Sequence, residues 1–188
     1  AKMDAANVDL KAFTDDFYHR VCAARLDPVL DTLRFLRHET DVWFEITTLL
    51  IPDRNDSDAE IDAETRWIAD ALGPDVPVHF TAFHPDYTML ERPQAPGSTL
   101  SRARRIARSN GLRFVYTGNV HDREGGTTYC PGCGEAVVVR DWYDIGRYHL
   151  DERGGCRSCG GRLPGVFDGA AEHWGRSRRS VHVAGRSR

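Results

Sequence analysis

The stretch "DVWFEITTLLIP", residues 41–52, decides how the chain is read. It is rich in β-branched and aromatic residues and stops at Pro52, the pattern of a buried strand. Directly after it, "NDSDAEIDAETRWIADALG" (55–73) opens on N-cap residues, keeps a helical pattern and ends on Gly73. "VPVHFTAFHP" (76–85) reads as the next strand, "STLSRARRIARSNG" (98–111) as a capped helix with a glycine stop, and "LRFVYTGNV" (112–120) as another strand. Upstream, "NVDLKAF" (7–13) reads as a strand opening to a loop, followed by two helical pieces broken near Pro28. In the second of these, Val29, Leu30, Leu33 and Leu36 keep helical spacing, with Phe35 alongside. Strand and helix therefore alternate, which predicts parallel strands with helices outside. Ligands of such sheets sit at the C-terminal strand ends. Here those ends are "DLKAF", "LLIPDRND", "AFHPDY" and "YTGNV", all polar where an apolar run stops.

From residue 127 the composition changes to Gly, Cys and Arg, and a second unit begins. "TTYCPGCGEAVV" (127–138) and "GGCRSCGG" (154–161) each hold a CxxC pair, with 22 residues between Cys133 and Cys156. Cys130, Cys133, Cys156 and Cys159 have the spacing of a four-thiolate metal site, and Gly132, Gly134, Gly160 and Gly161 suit tight turns around it. Four thiolates favour tetrahedral zinc, with mononuclear iron as the chemical alternative. "EAVVVRDWYDIGRYHL", between the pairs, supplies two β-like segments around a turn, which completes a zinc-ribbon layout. Four protein ligands leave no open position, so the site is expected to be structural. Arg140, Arg147, Arg153, Arg157 and Arg162 lie near it. Asp141, Asp144, Asp151 and Glu152 dilute that charge, and nucleic acid is not the expected partner.

The bulk composition agrees with a globular chain outside the membrane. Of 188 residues, 40% are hydrophobic and 28% charged, and a net charge of −3 gives no drive toward polyanions. No apolar run approaches a bilayer span and no signal-peptide pattern opens the sequence, so the expected location is cytoplasmic. Residues 175–188 carry five Arg and no acid, and 169–188 is expected to be a disordered basic tail.

Among strand-end residues, Asp9 and Lys11 alternate with Val8 and Leu10, so period-two geometry sends both to one face. A carboxylate there suits a ribose hydroxyl pair, and an ammonium suits a carboxylate or phosphate. An internal ion pair is the plainer reading. His84 ends the third strand before Pro85, and His79 holds a weaker position. Asn55 and Asp56 read as helix N-cap candidates, and Thr117, Gly118 and Asn119 as a turn. No Walker-type loop and no G-x-S-x-G elbow is present.

Taken in order, "NVDLKAF", "WFEITTLLIP", "NDSDAEI", "VPVHFTAFHPDYTML", "LRFVYTGNV", "TYCPGCG" and "CRSCGGRLPGVF" resemble the C-terminal half of the AmmeMemoRadiSam-system radical SAM enzymes, relatives of the pyruvate formate-lyase activating enzymes. The resemblance covers residues 4 to about 167. It implies the C-terminal half of a partial (β/α)6 barrel over residues 1–126, a four-cysteine zinc-ribbon-like unit over 127–168, and the tail beyond. It also implies a [4Fe–4S] cluster that binds S-adenosylmethionine and cleaves it reductively to a 5′-deoxyadenosyl radical. Asp9 and Lys11 match the positions that hold the cofactor's ribose and carboxylate, and His84 matches a histidine near the cofactor. Memo-like and AMMECR-like proteins are the partners the family name implies. Two departures stand out. Neither the family's CxxxCxxC cluster motif nor its glycine-rich GGE-type strand occurs in this sequence, so the chain is expected to be a fragment that is inactive alone. And Asp53 follows "LLIP" where glycine is expected; aspartate makes the turn that glycine permits less readily, so this loop is expected to differ. The alternative is a structural metal-ribbon interaction unit on a βα scaffold.

Overall fold

The computed structural model describes residues 3–167. Four strands, β1 (Ala5–Asp9), β2 (Trp43–Leu50), β3 (Val78–Ala82) and β4 (Val115–Gly118), form one sheet in the order β1-β2-β3-β4, with every neighbour parallel. Helices α1 (Asp15–Cys22) and α2 (Asp27–Glu39) join β1 to β2, α3 (Asp58–Leu72) joins β2 to β3, and α4 (Gly97–Ser109) joins β3 to β4. Sequential order with parallel pairing is what the alternation of strand and helix predicts. No helix among the described residues is long and apolar enough to cross a membrane.

Side chains along β2 alternate strictly between half-buried and buried. The buried set, Phe44, Ile46, Thr48 and Leu50, meets the helices together with Val78, Phe80 and Ala82 of β3. Ile61, Ile68 and Leu72 of α3 and Leu100, Ala103 and Ala107 of α4 complete this core. A carboxyl group is sealed within it. Glu64 of α3 is 1% exposed and accepts a 2.5 Å hydrogen bond from Thr48 Oγ1. Burial pushes its carboxyl up to about 8, against the pull of that hydrogen bond. The opposite face of the sheet carries Asn7, Asp9, Glu45, Thr47, His79, Thr81 and Tyr116, and among the described residues no helix layer covers it.

The helix boundaries follow local chemistry. Thr14 caps α1 by accepting from the Phe17 N–H, and Ser57 caps α3 by accepting from the Glu60 N–H. Pro28 does not break a helix but sits in the first turn of α2, where its missing N–H costs nothing. The stretch read as a strand opening to a loop over 7–13 has that form: β1 ends at Asp9, and Leu10 and Ala12 beyond it are buried in the core. Phe35, on the outer side of α2, is exposed.

Asp53, the residue standing where glycine is expected, has φ +59°, a left-handed conformation. Its N–H is held by Asp56 Oδ1 at 2.9 Å. The turn therefore keeps a glycine-like geometry with an aspartate in it, at a local cost of roughly 1 kcal/mol. Asp53→Gly is expected to leave the urea midpoint unchanged or slightly raised, whereas Asp53→Val should cost about 1–2 kcal/mol because a branched Cβ fits this region worst.

The two outer edges of the sheet differ. On β4 the Val115 carbonyl accepts from Arg104 Nε at 3.1 Å, and the Thr117 N–H donates to the Gly125 carbonyl at 3.1 Å. On β1 the groups of Asp4 and Leu10 pair with β2, and the alternate backbone groups, at Ala5, Asn7 and Asp9, have no backbone partner among the described residues.

A second, antiparallel sheet holds β5 (Thr128–Tyr129), β6 (Ala136–Asp141) and β7 (Asp144–Tyr148) in that order. Its core joins Cys130, Val137, Val138, Leu150, Cys156 and Leu163 to Phe114, which enters from the residue before β4. The two sheets are thus stitched together at the base of β4. Residues 169–188, expected to form a basic tail, lie outside the described residues.

Candidate functional site

Two groups of side chains carry chemistry. The first is the cysteine quartet. Each CxxC closes in the same way. The Gly134 N–H donates to the Cys130 carbonyl at 2.9 Å, and the Gly160 N–H to the Cys156 carbonyl at 2.7 Å. Gly134 and Gly160 both have φ +74°, which L side chains adopt at a cost, so the glycine after the second cysteine of each pair is the one the turn requires. Cys130 and Cys156 are buried while Cys133 and Cys159 face out. The four sulfurs lie within 4.8 Å of one another, with Cys130–Cys159 at 3.6 Å and Cys133–Cys156 at 3.8 Å. Tetrahedral metal–sulfur bonds of about 2.3 Å set sulfurs about 3.8 Å apart, so the quartet fits one four-coordinate ion. Burial disfavours the Cys156 thiolate, but the N–H groups of Cys159 and Ser158 and the neighbouring thiols bring its pKa down to about 7. The Glu135 N–H favours the Cys133 thiolate, yet the thiols of Cys159, Cys130 and Cys156 together push it up to about 12. A cation is what lets all four ionise together.

The second group lies on the open face and C-terminal ends of the parallel sheet. Asp9 ends β1, and Lys11 Nζ bonds its Oδ2 at 2.6 Å, each side chain being about half exposed. Below them Asn55, 1% exposed, donates from Nδ2 to the Lys11 carbonyl at 2.7 Å and the Leu49 carbonyl at 2.9 Å, and its Oδ1 accepts from the Ile51 N–H at 2.7 Å. Asn55 is therefore not the cap of α3, which is Ser57. It pins the loops after β1 and β2 to each other, fixing the backbone that carries Lys11. His84 lies two residues beyond β3 and is exposed. The structure brings Asp9 and Lys11 together, and among the described residues no hydrogen bond or ion pair joins His84 to them.

His79, which sequence reasoning ranked behind His84, is built into a network instead. Its Nε2 lies 2.6 Å from Glu45 Oε2 across the β2–β3 pair. Its ring stacks on Tyr116 of β4 with centroids 5.0 Å apart and planes 26° apart. The bond to His79, joined by the Trp43 indole N–H, holds Glu45 below the usual carboxylate range. Arg140 reaches over from β6, its guanidinium 5.7 Å from the Tyr116 ring and its Nη1 donating to Thr128 Oγ1 at 2.9 Å. Tyr116 Oη and Thr128 Oγ1 are 2.9 Å apart. Glu45 and Arg140 were not singled out for this role from sequence. The available signal was the alternation in "WFEITTLL", which puts Glu45 opposite the core residues Phe44 and Ile46.

The comparisons bear on the fold. Over 162 residues the chain is 40% identical to an uncharacterized protein of Methanocaldococcus jannaschii. That alignment covers 86% of this chain and 48% of the other, so the chain spans about half the length of the curated relative it matches. Among solved structures, a domain of a pyruvate-formate lyase-activating enzyme from Bacteroides vulgatus superposes with a TM-score of 0.53 at 17% identity, covering 62% of this chain and 68% of that domain. This likeness establishes a shared mixed α/β architecture with a parallel sheet. No family model matches the chain.

Proposed function

We propose that the chain supplies the cofactor-binding strand ends of a radical SAM barrel of the AmmeMemoRadiSam type, with a structural zinc ribbon attached. The observation that carries this reading is the Asp9–Lys11 pair at the C-terminal end of an edge strand in an open parallel sheet. That is where such sheets bind ligands. Asp9 would take the ribose hydroxyls of S-adenosylmethionine and Lys11 its carboxylate, with Asn55 holding the loop that presents Lys11. In this family the bound cofactor, reduced through a [4Fe–4S] cluster, supplies a 5′-deoxyadenosyl radical. The cysteines of this chain do not fit that cluster. Their sulfurs crowd around a single ion position, and all four are engaged in paired turns. The reading therefore requires a cluster loop from outside these residues, and Memo-like or AMMECR-like partners are proposed with it.

Calorimetric titration of S-adenosylmethionine into the complete protein, cluster loop included, tests the cofactor role. Lys11→Ala there should weaken binding by roughly 1–3 kcal/mol, about ten- to hundredfold, for loss of a charged hydrogen bond. Unchanged affinity would leave Lys11 a purely structural partner of Asp9, and no saturable binding by the unaltered complete protein would remove the reading.

A further inference from the structure

Arg104 and Arg108 stand four residues apart on α4, so both side chains leave the same face of the helix. That face meets the edge of β4. Arg104 Nε donates to the Val115 carbonyl at 3.1 Å, and Arg108 Nη1 donates to the Arg113 carbonyl at 3.3 Å. Two guanidinium groups are thus laid along one strand edge, and Arg113 adds a third where the chain enters β4. Like charges at this spacing repel. Two carbonyls need two N–H donors, which neutral side chains supply, so three guanidinium groups exceed what the edge requires.

A cleft of about 460 Å³ opens beside them, between α4 and the first CxxC turn. Arg104, Arg108 and Arg113 line it, and Glu124 is the one carboxylate among the described residues that do. Glu124 is already engaged, its Oε1 accepting from Arg104 Nη1 at 2.7 Å. Arg113 Nη2 donates at 2.6 Å to Asp75, which lies outside the cleft. Arg108 has no carboxylate partner among the described residues.

The chemistry left over is all of one kind. Arg104 is 8% exposed, yet its Nη2 has no partner among the described residues and is not sealed from solvent. Arg108 keeps Nε and Nη2, and Arg113 keeps Nε and Nη1. The Tyr129 hydroxyl, in the same cleft, has no partner among the described residues either. Hydrogen-bond donors with a surplus of positive charge, in a concave site built around a buried arginine, call for an anion.

We propose that this cleft binds a small phosphate monoester, whose phosphoryl oxygens meet Arg104, Arg108, Arg113 and the Tyr129 hydroxyl. Such a group carries a charge of about −1.5 to −2 at neutral pH and three terminal oxygens, which matches several guanidinium groups at once. A carboxylate has one charge and two oxygens, and a single guanidinium fork fills it. A phosphodiester likewise keeps one charge and two free oxygens. The cleft is larger than a phosphoryl group, and the remaining space beside Pro131 takes the small organic part.

Methyl phosphate, dimethyl phosphate and acetate are the probes, titrated calorimetrically into the full chain at low ionic strength. Methyl phosphate should saturate at one equivalent per chain, with the other two binding at least tenfold more weakly. Arg108→Met removes charge from an exposed side chain and should weaken methyl phosphate about tenfold or more. Glu124→Gln has the opposite sign. It takes away the carboxylate of the cleft and should tighten binding severalfold. Metal content and circular dichroism verify the fold of each variant, and both altered side chains are exposed. Absence of saturation by methyl phosphate overturns the proposal and leaves the arginines to balance the net negative metal–thiolate centre behind Cys130. Equal affinity for dimethyl phosphate overturns it as well, as does an affinity unchanged in both variants. None of these results touches the Lys11 titration, since the two sites share no residue.

Discussion

Removing the metal from the cysteine quartet is expected to unfold residues 127–167 while the parallel sheet stays folded. The second unit is too small to hold itself by apolar burial. Of the six core side chains it contributes, two, Cys130 and Cys156, belong to the quartet itself. Structural zinc in comparable settings contributes about 10 kcal/mol or more of apparent binding free energy, and that energy is folding energy. The purified chain should carry about one zinc, detected by elemental analysis. After chelation, amide exchange at Val137, Val138, Cys156 and Leu163 should become fast while Ile46, Val78 and Phe80 stay protected. Cys156→Ser should behave like the chelated chain. A metal-free chain that keeps those amides protected would show that packing alone holds the unit and that the quartet is not its staple.

The second large effect concerns Glu64 and pH. Its ordinary value is 4.5, and burial raises it to about 8 in the folded chain. The folded state therefore keeps a proton that the unfolded state releases. The associated stability is complete below about pH 4.5 and is lost as pH rises toward 8, at about 1.4 kcal/mol per pH unit. Across that window the loss is on the order of 5 kcal/mol. Urea unfolding of the parallel-sheet unit should thus show a higher midpoint at about pH 5 than at about pH 8. Glu64→Gln keeps an oxygen for Thr48 Oγ1 and cannot ionise, so it should flatten this slope and stabilise the chain at the alkaline end by several kcal/mol. An unaltered chain with the same midpoint at both values would mean that Glu64 gains compensation when ionised, and the buried-acid account would fall.

The parallel α/β scaffold was legible because its signals are local. Alternation in β2, the Gly73 stop and the CxxC spacing each lie within a few residues. What escaped depends on distance. Asn55 looks like a helix cap in sequence because a cap is defined by its neighbours. Its actual role is fixed by the Lys11 carbonyl, 44 residues away. His84 outranked His79 for a similar reason. A histidine at a strand end is conspicuous, whereas His79 gains its meaning from Glu45, 34 residues upstream, and from Arg140 on another sheet. Asp53 is the converse case. The sequence suggested an altered turn, and the backbone keeps the glycine-like conformation despite the substitution.

The unequal edges of the parallel sheet give the unit a direction of growth. With Arg104 and Gly125 occupying the β4 side, a newcomer strand finds its hydrogen bonds only along β1. A parallel strand docking there would end beside Asp9 and Lys11, so its trailing loop would arrive at that pair. Whatever extends this sheet therefore also reaches the Asp9–Lys11 pair, and the same seam left bare is the first place where copies of the chain would stick to one another.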